Sequence, residues 1–208
     1  YTGDNGERIP REKADGIPDI HSWTVCADPV NADVWFNSLP RAMGLRAVAD
    51  YANTNGNASA REAFYAKGSL FQCPSVKFST QPPNPKKTAF PQFSTAMNSK
   101  LIRNGSQPRL GALQQTSQTV IFNESGVPGE TSARADENQA VFNGQPFSFA
   151  SRFAIRHGGS GNLIFGDGHV ETKRGKTVVE SRPGPNKGKA ILPQTEVIWT
   201  VDPSENPN

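Results

Sequence analysis

Cysteine, histidine, methionine and tryptophan are all scarce in this 208-residue chain, which has two Cys, three His, two Met and three Trp. The two cysteines, Cys26 and Cys73, have no CxxC spacing, so a zinc ribbon is excluded. Either two free buried thiols or one disulfide remains. A Cys26–Cys73 bond would close a loop of about 48 residues and stabilise the fold by about 4 kcal/mol in the chain-entropy model. Neither cysteine has a His or a basic cluster close by in sequence that would mark an activated thiolate. Long apolar runs are also missing. No stretch approaches the roughly 18 apolar residues of a membrane span, and no charged-then-apolar signal segment opens the chain. As given, the sequence reads as a soluble domain. It opens directly at Tyr1 with no Met, which predicts an upstream segment, an anchor being one form it could take.

A one-signed charge excess is absent too. The 22 Lys and Arg are scattered among 19 acidic residues, leaving a net charge of +3 rather than a basic face, so nucleic acid is not an expected partner. Leu, Ile, Val and Phe together make 42 residues, about a fifth of the chain, which allows a modest core. The 19 Gly and 17 Pro are too many for a helical bundle and too few for a low-complexity chain. One loop-rich, β-containing domain over residues 1–208 is the expectation.

Residues 1–20, punctuated by Gly3, Gly6, Pro10, Gly16 and Pro18, read as a connector. Val34, Trp35, Leu39 and Met43 recur at helical spacing, predicting a short amphipathic helix within 32–43 with Pro40 as a kink or end. A second helix is predicted over 59–67, with Ser59 and Glu62 as a capping box and Gly68 as terminator. Beyond the Pro-rich loop at 81–85 the pattern turns to strand, at 90–97 and 118–122, and 118–201 is the β-rich region. Residues 126–139 read as a surface excursion. Partial alternation over 147–156, a Gly-rich turn at 157–161, the apolar run 162–165, the turn Gly166-Asp167-Gly168 and residues 169–173 predict three consecutive antiparallel strands, a meander. Residues 195–201 form a last apolar strand.

Several catalytic signatures nearly occur. The stretch from Gly184 to Lys189 has three residues between its glycines where a P-loop has four, and Ala190 where a hydroxyl must hold Mg²⁺. Gly159-Ser160-Gly161 lacks the nucleophile elbow, because Asn162 replaces its last Gly. His157, Asp167 and His169 could form a facial metal triad, yet Asp in a Gly-Asp-Gly turn more commonly accepts hydrogen bonds from backbone amides. His21 lies in the connector. Glu124 reads as a further oxygen ligand or, preferably, as the ion-pair partner of Arg152 or Arg156. Trp23, Trp35 and Trp199 would offer stacking faces to a glycan, or fill the core.

The segment from Arg156-His157 to Gly166-Asp167-Gly168-His169 places nine residues between His157 and Asp167-Gly168. It resembles the H-x9-DG signature of prepilin-type proteins of the kind abundant in Verrucomicrobia and Planctomycetes, which are similar to type II secretion pseudopilins and type IV pilins. Three further stretches resemble that family: Tyr1 to Pro10 its exit from a long N-terminal helix, Cys73-Pro74 its central Cys-Pro segment, and Met97-Asn98 its Met-Asn strand. Residues 193–199 resemble a frequent ending. The resemblance implies an α+β, pilin-like head with an antiparallel sheet, short helices and long loops, cut from its transmembrane helix. It implies a non-catalytic structural subunit of a secretion pseudopilus or surface filament, in which His157, Asp167 and Gly168 are structural. Partners would be other pilins or copies of itself, met through the missing helix. The head would be periplasmic or extracellular, on a protein anchored in the inner membrane. No cofactor is implied, apart from the calcium that some pseudopilins bind; calcium takes six to eight oxygens, and no matching Asp cluster is evident. The rival readings are a metal-dependent extracellular enzyme using His157, Asp167 and His169, and a glycan-binding module. If the missing helix covered part of the sheet, exposed apolar surface near the N-terminal segment would follow.

Overall fold

The computed structural model describes residues 3–13, 22–52, 58–66, 68–78, 90–102, 106–130, 142–178 and 196–205. Among the described residues, four short helices precede the sheet: α1 (Trp23–Ala27), α2 (Trp35–Ala42), α3 (Val48–Ala52) and α4 (Ala58–Phe64). Ser22 starts α1 by accepting the Val25 N–H at 3.2 Å, which satisfies one of the donors a first helical turn leaves open. The helix predicted within 32–43 is α2. It buries Trp35, Phe36 and Pro40 and ends two residues after the proline. The helix predicted over 59–67 is α4, which runs Ala58–Phe64: Ser59 lies inside it rather than capping it, so the Ser59–Glu62 capping box does not form, and the helix ends before Gly68.

The sheet has five strands: β1 (Thr95–Asn98), β2 (Val120–Glu124), β3 (Phe147–Ser148), β4 (Ser160–Phe165) and β5 (Val170–Arg174). Their order is β3-β1-β2-β4-β5. All neighbours are antiparallel except β1 and β3, which run parallel, so the fold is mixed α/β with a mixed sheet. A short helix, α5 (Gly175–Val178), follows β5.

The three-strand meander does not form as predicted. Only β4 and β5 make a strand-to-strand hairpin, and β2 takes the other side of β4. The stretch predicted as the first strand divides in two. β3 goes to the far edge of the sheet, and Ala150–Arg152 turns as a 3-10 helix. Only then does the chain return, where Phe153 bridges Ser125 and the Ala154 N–H donates to the Glu124 carbonyl at 2.9 Å. Phe147 and Ser148 pair in parallel with Met97 and Asn98 at the edge, and the 3-10 turn that follows them reverses the chain before it can continue as a strand. The predicted strand at 195–201 contributes one parallel bridge, Ile198 to Thr119.

Two apolar clusters hold the elements together. The first is aromatic and centres on Trp35, whose ring centroid lies 5.2 Å from that of Phe122 and 5.8 Å from that of Phe93. The second gathers Val120, Phe153, Leu163, Phe165, Val178, Val197 and Trp199. β2 belongs to both, because a register shift between Val120 and Phe122 sends Val120 to one cluster and Ile121 and Phe122 to the other. The described part of the connector is not loose: the Ile9 N–H donates to the Pro108 carbonyl and the Trp35 N–H to the Arg11 carbonyl. Apolar exposure lies at Val30, Met43, Leu45, Leu70 and Val170, while Ile9 in the N-terminal segment is buried.

Candidate functional site

Three distant segments converge on the imidazole of His157. Its placement starts with a two-residue turn: His157 and Ser160 exchange backbone hydrogen bonds at 3.0 and 3.2 Å, and Gly158 and Gly159 both take positive φ, the pattern of a type I′ hairpin. The hairpin is drawn close against β4 at Gly161, where a Cβ would sit 2.1 Å from the Ala154 carbonyl oxygen. Glu124 closes β2 and is buried. Cys73 lies in the turn that follows α4, held by donation of its N–H to Ser94 Oγ at 2.5 Å.

His157 Nε2 lies 2.9 Å from Glu124 Oε1 and 3.4 Å from Cys73 Sγ. The second carboxylate oxygen, Oε2, accepts the Asn162 N–H at 3.0 Å, which fixes the carboxylate plane. Arg156 Nη1 is 3.9 Å from Glu124 Oε1, but its principal partner is Glu130, gripped by Nε at 2.8 Å and Nη2 at 2.7 Å. Nη2 also donates to the Ser125 carbonyl at 2.7 Å. Burial opposes the Arg156 charge, and hydrogen bonding and attraction to Glu130, aided by Glu124 and Cys73, outweigh it and raise the guanidinium pKa. Burial pushes the Cys73 thiol up; the Ser75 backbone and Arg156 pull down, and Glu124 adds to the rise.

The arrangement differs from a nucleophile–base–orienter relay in one decisive respect. Such a relay needs the carboxylate on one ring nitrogen and the thiol on the other. Here both approach Nε2, so Glu124 does not orient the ring for proton abstraction from Cys73.

The other residues singled out in the sequence lie elsewhere. Asp167 and His169 occupy the turn at the opposite end of β4 from His157, about 20 Å away for a six-residue strand, so the facial triad His157, Asp167, His169 does not assemble. Asp167 Oδ1 accepts the His169 N–H at 3.1 Å and faces His169 Nδ1 at 2.5 Å, while the His169 ring stacks on Phe165. Gly168 provides the positive φ of that turn. Cys26 and Cys73 are both free thiols, and Cys26 is packed in the aromatic cluster, where burial raises its pKa. Trp23, Trp35 and Trp199 are 3%, 3% and 1% exposed, so none presents a face to a glycan. His21 and most of the predicted excursion at 126–139 lie outside the described residues.

What the sequence reading missed is the Cys73–Glu124–His157 group itself. Cys73 and His157 are 84 residues apart, and Glu124 and His157 are 33 apart, so no local spacing announces them. The available signal was the placement of His157 and Glu124 at strand ends in neighbouring predicted strands. No family model, no curated protein and no solved structure matches this chain.

Proposed function

We propose that the chain is the folded head of a pilin- or pseudopilin-like filament subunit with a structural rather than catalytic role. The observation that carries this reading is the use the fold makes of the H-x9-DG residues. His157 and Asp167-Gly168 occupy the two turns that bracket β4, and each fastens a turn: His157 to Glu124 of β2, Asp167 to the backbone of His169. Residues in such positions set strand register and turn shape, which is what a repeated building block requires. The connector adds support, because Ile9 and Arg11 are stitched by backbone hydrogen bonds to the Pro108 segment and to the start of α2. A load applied through residue 3 would pass directly into the helical layer and the loop beside β2.

No helix among the described residues is long and apolar enough to cross a membrane. The reading therefore requires an apolar helix encoded before Tyr1, through which the protein would sit in the inner membrane and meet other pilins or further copies of itself, with this head exported. The test is to express the whole reading frame together with a prepilin peptidase. Peptidase-dependent cleavage upstream of Tyr1, and recovery of the head in sheared filament material, are expected. An unprocessed product absent from that material would refute the reading.

A further inference from the structure

We propose that Cys73, Glu124 and His157 bind a divalent zinc-class metal ion that staples the Cys73 turn, β2 and the 157–160 hairpin together. One ligand atom from each residue lies within 4.8 Å of the other two. Tetrahedral zinc, with Zn–S of about 2.3 Å and Zn–N and Zn–O of about 2.1 Å, separates its sulfur and nitrogen ligands by about 3.6 Å and its nitrogen and oxygen ligands by about 3.4 Å. The corresponding distances are 3.4 Å and 2.9 Å. Sulfur and nitrogen are already at coordination spacing. The nitrogen–oxygen pair is at hydrogen-bond length and needs to open by only about 0.5 Å for an ion to enter.

Convergence on a single nitrogen, which defeats a proton relay, is what a metal site needs. Nε2, a carboxylate oxygen and a sulfur are gathered within 4.8 Å of one another. A thiolate beside an imidazole favours zinc or another borderline ion and disfavours calcium, which asks for six to eight oxygens. The surrounding contacts supply the outer support such ligands require: the Asn162 N–H on Glu124 Oε2, and Ser94 Oγ on the Cys73 N–H. Charge agrees as well. With Cys73 as thiolate, the two carboxylates of Glu124 and Glu130 and the Arg156 guanidinium leave a net charge of minus two, which a divalent ion cancels. Arg156 would repel the ion if it stood alone, and its fork onto Glu130 neutralises it. The His157 side chain is 31% exposed, so the site can be approached from solvent on the imidazole side.

The test uses the untagged 208-residue chain, reduced and freed of metal by a chelator, then titrated with Zn²⁺ and with Co²⁺ as a spectroscopic probe. One equivalent should bind. The Co²⁺ form should show a thiolate-to-cobalt charge-transfer band and the visible bands of a tetrahedral ion. Cys73→Ser should abolish the charge-transfer band. His157→Gln and Glu124→Gln should each weaken binding by at least about tenfold, and His169→Gln should leave it unchanged. Far-UV circular dichroism verifies that each variant is folded; should Cys73→Ser fail that check, Cys26→Ser removes the other thiol, and a charge-transfer band that persists in it assigns the ligation to Cys73, while its loss overturns the proposal. The proposal is overturned if the folded parent takes up no ion, if its Co²⁺ form lacks the charge-transfer band, if that band survives Cys73→Ser, or if His169→Gln is the variant that abolishes binding.

Discussion

Asp167 and Asn98 show how differently two polar side chains act at the scale of one residue. Asp167 lies on an exposed turn, where hydrogen bonds from His169, side chain first and then backbone, hold its pKa below the usual carboxylate value. A depressed folded-state pKa means that its contribution is complete above the ordinary carboxylate range and is lost only as pH falls through the lowered value. The turn should therefore keep its form through mildly acid solution and open below that range. The Asp167 side-chain carboxyl resonance, followed by NMR as pH is lowered, will check this; a titration midpoint at or above the ordinary carboxylate range would contradict it. Asn98 is fully buried. Its Nδ2 donates to the carbonyls of Val120 and Trp199, both at 2.8 Å, and its Oδ1 accepts the Lys100 N–H. Asn98→Leu orphans these groups in the interior and should cost about 2–4 kcal/mol, since each unsatisfied buried group costs about 1–3 kcal/mol. Urea denaturation measures it, and a loss under 1 kcal/mol would show that water replaces the amide.

At the scale of the element, the positions legible in advance were those where local chemistry allows few choices. Paired Gly158 and Gly159 and the Gly-Asp-Gly stretch marked both turns around β4, and the apolar spacing of Trp35 and Leu39 marked α2. The destination of residues 147–148 was not legible. β3 pairs with β1 through a contact some fifty residues distant, Met97 to Phe147, and nothing near Phe147 specifies that choice. The same holds for the candidate site: His157 and Glu124 stand out in the sequence, but it takes the pairing of β2 with β4 to bring Glu124 to His157, and the hydrogen bond from the Cys73 N–H to Ser94, beside β1, to hold Cys73 there. Gly161 shows how tightly the chain returning through Phe153 and Ala154 lies on β4. It sits in β4 where the returning chain crosses, and a methyl group there meets a backbone oxygen, which cannot rotate aside. Gly161→Ala should destabilise the protein by about 3 kcal/mol, the upper part of the usual range for overpacking. It should also move the His157 hairpin away from Glu124. Thermal melting gives the first effect and the His157 ring resonances the second; an unchanged melting temperature would mean the hairpin is free to shift.

For the whole molecule the question is whether two apolar clusters make two folding units or one. Trp23 and Trp35 belong to the aromatic cluster and Trp199 to the other, so the protein carries a fluorescent reporter on each side. The clusters are not separate in the chain. β2 lends Val120 to one and Ile121 and Phe122 to the other, and Asn98 of β1 bonds the Trp199 carbonyl across them. Losing either cluster strips packing from a central strand whose neighbours β1 and β4 depend on it for backbone hydrogen bonds, so partial unfolding leaves unpaired strands on both sides. We expect one cooperative transition. A Trp199→Phe variant, read through Trp23 and Trp35, and a Trp23→Phe/Trp35→Phe variant, read through Trp199, should each unfold in guanidinium with the same midpoint by fluorescence as by far-UV circular dichroism, because coincidence of probes is the mark of a two-state process. If Trp199 reports a transition at lower denaturant than the circular dichroism of the same variant, the second cluster is a separate, weaker unit, and the links through β2 and Asn98 do not couple it to the first.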